Sequence, residues 1–170
     1  MSFYNKLQDA LYDSTKAILA KIGDPNTKVL FSHENIREPD DTYCLINNIK
    51  RVQHGRRDET AFVTVVDGVG TSEFIAHYSL DIKLSFIGRD AEDVANDFQH
   101  NAKNNRSCLI EWERQNLGLL YVSDVRSVPQ KRDTQWVDMF NMDIRLSFAL
   151  STIHEEDWIE KITIVENYVP

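Results

Sequence analysis

The chain has 170 residues, 27 of them acidic and 19 basic, for a formal net charge of -8, with 42% hydrophobic and 27% charged residues. That length suits one domain and buries roughly 70% of the unfolded surface without a disulfide or metal staple. The acidic excess argues against tight, general binding of nucleic acid, which needs clustered Lys and Arg, but not against a protein past which DNA slides.

Residues 1–22 read as a helix, because Phe3, Leu7, Ala10, Leu11, Ile18 and Ile22 recur at three- and four-residue spacing. Ser2 is placed to cap its start, and Gly23 with Pro25 stops it. The segment has no basic leader region and no uninterrupted apolar stretch, so it is not read as a signal peptide. No stretch reaches the roughly 20 apolar residues of a membrane helix, so a soluble protein made in a cytoplasm is expected. A short strand is predicted over 28–33, and a longer one over 42–53 after a loop containing Pro39. Turns are predicted at 54–60 and 67–72, on either side of a short strand at 62–66.

The clearest pattern lies in 73–87. Phe74, Ala76, Tyr78, Leu80, Ile82, Leu84 and Phe86 occupy every second position, with Ser79, Asp81, Lys83 and Ser85 between them. Period two over that length predicts a long strand with one buried face. Gly88 ends it and Asp90 is placed to cap a helix whose stripe is Ala91, Val94, Ala95, Phe98 and Ala102. The polar run 103–107 breaks this helix, and 108–115 is a candidate for a second short one before Gly118. A strand over 119–128 and a charged turn over 129–133 follow. A second long alternating strand starts at Gln135, with Trp136, Phe140, Met142, Ile144, Leu146, Phe148 and Leu150 on one face. A last strand is predicted over 158–165. The fold class is therefore α+β: a mainly antiparallel sheet with long strands, covered on one face by the N-terminal helix and a helix at about 90–104.

Chemistry is largely absent from the pattern. The five histidines are scattered, and the densest ligand run, His154-Glu155-Glu156-Asp157, reads as a solvated turn. Cys44 and Cys108 share no metal or redox spacing and read as small buried hydrophobes. Gly68-Val69-Gly70 lacks the third glycine and the lysine of a phosphate cradle, so a hairpin turn is the better reading. Asp138 shares the parity of Trp136 and Phe140, which marks an edge or a bond to backbone rather than a general acid. No catalytic, metal or cofactor-binding residue is assigned. The basic pairs Lys50-Arg51, Arg56-Arg57 and Lys131-Arg132 lie in or beside predicted turns. Solvated loop charge is their bland reading; a loop reaching toward a partner or a DNA-bearing channel is the functional one.

Element order and texture carry one resemblance. YCLINNIKRV, then HYSLDIKLSFIGRDAEDVANDFQHNAK running from strand into helix, then LGLLYVSDVRSV, then WVDMFNMDIRLSFALSTIHEEDWIEKITI resemble the tail terminator, or neck-completion, proteins of contractile-tailed phages and prophages. The resemblance covers about 3–165 and rests on no invariant motif. It implies a single tail-terminator-like domain and a non-enzymatic virion protein without cofactors. It further implies a ring, usually hexameric, that caps the tail tube and joins it to the neck or connector while genomic DNA passes through the lumen. Arg56, Arg57, Lys131 and Arg132 are then candidate lumen or docking-loop residues. Another head–tail joining or tube-like protein, or a small α+β enzyme, are the alternatives.

Overall fold

The computed structural model describes residues 3–33, 37–66, 69–132 and 135–156. In chain order it contains helix α1 (Phe3–Lys21), strands β1 (Lys28–Phe31), β2 (Tyr43–Val66) and β3 (Val69–Ile87), then helices α2 (Ala91–Asn104) and α3 (Arg106–Arg114). Strands β4 (Gly118–Val122), β5 (Arg126–Ser127), β6 (Gln130–Arg132), β7 (Gln135–Val137) and β8 (Met139–Glu156) complete it. The chain divides into two compact units. One comprises Met1–Val52 and Tyr78–Phe148, the other Gln53–His77 and Ala149–Pro170.

Six strands form one sheet in the order β1-β2-β3-β8-β4, with β5 also beside β8; β6 and β7 form a separate two-stranded sheet. β4 and β5 run antiparallel to β8. β1 pairs with β2 in parallel, with Lys28 opposite Tyr43 and Phe31 opposite Ile46. The connection 32–42 is long enough for that exception, which a tight turn would forbid.

The even-numbered face of β3 and β8 is the main core. Leu80, Leu84 and Phe86 are fully buried, and Ile82, Ile144, Leu146 and Met142 are at most 2% exposed. Helix α2 lays the predicted stripe on them: Ala91, Val94, Ala95, Phe98 and Ala102 are its buried residues. The Phe86 and Phe98 rings stand 5.6 Å apart at 51°. Each large apolar side chain withdrawn from water here contributes about 2 kcal/mol. The other face is drier than the alternation predicts. Tyr43, Ile87 and Met139 form a satellite core there with Leu30, Leu45 and Val137 packed against it. Ser85 beside it is buried, and its hydroxyl accepts a 2.9 Å bond from Asn47 Nδ2.

Several elements differ from expectation. The turn predicted over 54–60 does not exist: β2 runs unbroken from Tyr43 to Val66 and absorbs the strand predicted at 62–66. Alternating polar residues pair in a ladder as readily as they turn, so neighbour strands overrode the turn residues. β3 begins at Val69, so Gly70–Ser72 are strand as well, and 67–68 lie outside the described residues. The 119–128 strand is two, β4 and β5, and the 129–133 turn contains β6. The long strand expected from Gln135 starts at Met139, because exposed Asp138 interrupts it. Trp136 therefore sits on β7 and is 70% exposed, and Phe140 is half-buried, where both were expected on the buried face. Asp90 is the N-cap of α2 but makes no side-chain capping bond; its N–H donates to Thr42 Oγ1 at 3.2 Å. Ser2 and the strand at 158–165 lie outside the described residues.

A third helix joins the layer. Asn105 alone separates α2 from α3 and serves both. Its N–H donates to Asn101 O at 2.9 Å, while its side-chain oxygen accepts from the Ser107 N–H at 3.0 Å. α3 is tied to α1 through Glu111, which is 6% exposed. Lys21 Nζ lies 2.6 Å and Arg114 Nη1 2.8 Å from its carboxylate, and Ser14 Oγ donates to its backbone carbonyl at 3.2 Å. The Lys21 bond is the main reason that the Glu111 carboxyl titrates below its usual range, with the Arg114 charge adding to it against the effect of burial.

Two expected outcomes follow. Gly88 has φ +128°, and a Cβ there would lie 2.7 Å from Thr42 Cα. Gly88→Ala therefore costs at least about 2 kcal/mol in urea unfolding, from backbone conformation and the clash together. Glu111 is more acidic folded than unfolded, so its contribution is fully present above the ordinary carboxylate range and is lost as pH falls through its lowered folded value. Glu111→Gln lowers stability at pH 7 by about 2 kcal/mol and flattens that acid limb, which urea titrations from pH 7 to pH 3 measure.

Candidate functional site

The half of the sheet that the helices leave open carries charge. Strand alternation puts Asp81 and Lys83 of β3 opposite in sense to Leu80, Ile82 and Leu84, and Asp143 and Arg145 of β8 opposite to Met142, Ile144 and Leu146. β3 and β8 are neighbours, so the two charged rows lie side by side. Arg145 Nε donates to Asp81 Oδ1 at 2.6 Å, and its Nη2 reaches Oδ2 at 3.4 Å. Arg126 of β5 pairs with Asp143. Ser123 holds this edge in register: its N–H donates to Asp143 O at 2.9 Å and its Oγ accepts from the Asp143 N–H at 2.8 Å.

Lys50 of β2 and Tyr121 of β4 complete the walls of a groove of about 470 Å³ whose floor is the sheet at Ile82 and Ile144. Tyr121 is 56% exposed, with Leu120 beside it at 57%. Both aspartates in the groove are engaged by arginines, and Asp81 holds the Arg145 guanidinium above its already high range. Each carboxylate in the groove thus has a guanidinium as its ion-pair partner. Burial raises the Cys44 thiol far above its ordinary range, which leaves it protonated and inert. Among the described residues no group of three or more His, Cys, Asp and Glu is arranged to hold a metal ion. No helix among them is long and apolar enough to cross a membrane.

The first half of α2 presents acidic side chains outward. Glu92, Asp93 and Asp97 are exposed on α2, and Asp90 precedes it. Burial first, then the charges of Asp97 and Asp90, raise the carboxyl of Asp24 above its usual range. A second groove, about 390 Å³, runs between α1 and the edge strand β1, lined by Tyr12, Lys16 and residues 25–30.

The four residues expected on lumen or docking loops stand on strands. Arg56 and Arg57 are part of β2, in the unit containing Gln53–His77, and their side chains lie outside the described residues. Lys131 is exposed on β6, paired with Trp136 of β7; Arg132 pairs with Gln135, its side chain also outside the described residues. The two pairs thus belong to different units. Of the basic residues noted in the sequence, Lys50 reaches the groove, whereas Arg51 lies over the Tyr78 ring at 5.0 Å. In the sequence Asp81 and Lys83 fall between the apolar positions of one long strand, and Asp143 and Arg145 between those of the other. Their signal was the recurrence of the same charged alternation in both long strands.

The family model for the phage neck terminator protein matches residues 5–169, nearly the whole chain. A search of curated proteins returns no match. The chain belongs to the phage neck terminator family, and with it to the structural proteins of the phage tail or neck and to the virion.

The break at Asp138 sets apart two tryptophans that hydrophobicity alone would treat alike. Trp136→Ser on the small β6–β7 sheet shifts stability by no more than about 0.5 kcal/mol, as surface changes do. Trp112→Ser in the core, where the side chain is 0% exposed, costs about 3–5 kcal/mol. Urea unfolding followed by circular dichroism reads both.

Proposed function

We propose that this neck terminator protein closes into a homo-oligomeric ring, a hexamer, that caps the tail tube of a contractile-tailed phage and joins it to the head's connector. The observation that carries the reading is the family match across 5–169, which spans both compact units. The whole chain then works as one tail-terminator-like domain. A ring subunit needs different surfaces facing its two neighbours, since a closed head-to-tail contact is heterologous. The long-stranded sheet, with short strands β1 and β4 at its edges and one charged face, supplies such surfaces.

Genomic DNA passes through the lumen in this reading without being held. A net charge of -8 suits that task, because a duplex slides past an acidic wall more readily than past clustered cations. The protein is synthesised in the host cytoplasm and acts in the virion without cofactor, membrane or enzymatic step. The ion-paired aspartates agree with a surface built for assembly. Within the ring, one of the pairs Arg56-Arg57 and Lys131-Arg132 lies on the lumen or on an axial docking face, touching phosphates or tail proteins weakly and without sequence preference.

Negative-stain microscopy of the purified protein, alone and with tail tubes, shows discrete rings with an opening wide enough for a DNA duplex. A two-fold dimer without an opening, persisting beside tail tubes, overturns the reading. In this reading, replacing Arg56, Arg57, Lys131 and Arg132 together by serine leaves stability within about 0.5 kcal/mol, because docking charges add little to the fold. The same variant lowers the yield of infectious particles when it complements a phage lacking its own copy. Normal infectivity would remove these four residues from the docking role while leaving the ring intact.

A further inference from the structure

We propose that the open, charged face of the sheet is one half of the contact between adjacent subunits, and that its occupant is the acidic outer surface of α2 from a second copy. The proposal rests on the ring reading above and assigns residues to it.

The groove region is cationic within an acidic protein. Lys50, Lys83 and Arg145 line it with Asp81 and Asp143, and both aspartates are already paired with arginines. Among the described residues no ion pair reaches Lys50 or Lys83, so positive charge is left facing outward. The chain as a whole carries -8, which makes another copy of itself the nearest source of complementary charge.

Within the same unit, exposed acidic residues lie on the outer surface of α2. α2 packs its Ala91–Ala102 stripe on the sheet's helix-covered face and turns Glu92, Asp93 and Asp97 outward. Glu92 and Asp93 in the first turn have a bland role, stabilising the helix dipole. Asp97 lies beyond that turn and is exposed, so the helix dipole does not account for it. Basic and acidic patches on different surfaces of one subunit are self-complementary only between copies. They make a front-to-back, heterologous contact, which closes into a ring when the rotation allows.

Duplex DNA is the weaker candidate for this face. Two carboxylates stand among its cations and would meet phosphate, and Leu120 and Tyr121, both more than half exposed, are interface residues rather than a wall for sliding DNA.

The test reverses each patch separately. One variant carries Lys50→Glu with Lys83→Glu, the other Asp93→Lys with Asp97→Lys; circular dichroism melts confirm that both fold. Sedimentation and negative stain are run at low and high salt. Each double variant alone requires about tenfold or more protein to form rings than the unmodified chain, and high salt weakens unmodified rings through screening. Mixed in equal amounts, the two variants recover rings, because every reversed face then meets a reversed helix in alternation around an even-membered ring. Rings that form normally from both variants overturn the contact and leave the ring reading standing. So does an open-face variant that assembles normally and loses only binding of a DNA duplex, which would assign the face to DNA. Absence of rings from the unmodified protein, even on tail tubes, overturns the ring reading itself and this contact with it.

Discussion

Burial of one face of the β3–β8 pair beneath the helices is the constraint on which the rest of the molecule depends. Leu80, Leu84, Phe86, Met142 and Leu146 are inaccessible to water only because α2 delivers Ala91, Ala95, Phe98 and Ala102 against the same face. Three of those four α2 residues are alanines, so the helix axis comes close to the sheet, and Phe98 fills the remaining volume beside Phe86. Side-chain direction alternates strictly along a strand, so fixing this face fixes the other. Asp81, Lys83, Asp143 and Arg145 are turned outward by the same packing that turns their neighbours in.

The route from strand to helix obeys the same constraint. Gly88 turns the chain from β3 into α2 with backbone that an ordinary residue avoids, and its missing Cβ lets it lie against Thr42. Asn105 then turns α2 into α3 within one residue, satisfying the last turn of one helix and the first of the next. Glu111 closes the helical layer by linking α3 to Lys21 at the end of α1. A charge this buried has value only with its partners in place, so the three helices are coupled through it.

An asymmetry of charge results that bears on the neck terminator role. A protein meant to assemble head to tail needs two unlike surfaces, and a half-covered sheet makes them automatically: one side is helix exterior, the other is bare strand. Here the helix exterior is acidic and the bare strands are cationic with paired aspartates.

The sequence by itself determined the α+β class, the alternation of β3 at 80–84 and of β8 at 142–148, and the buried stripe of α2 residue for residue. Those are matters of period, and a period survives any tertiary arrangement that buries one face. Element order and texture also carried the family resemblance. Only the tertiary structure decided what depends on partners distant in sequence. Residues 54–60 look like a turn until neighbouring strands offer hydrogen bonds, and then they continue β2. Trp136 and Asp138 share the parity of the core, yet the chain leaves the ladder at Asp138 and the indole ends outside. Glu111 reads as a wet helical position until Lys21 arrives from α1. Lys50, Asp81, Arg145 and Tyr121 meet because β2, β3, β8 and β4 follow that order across the sheet, an order set by strand pairing and not by any local run of residues.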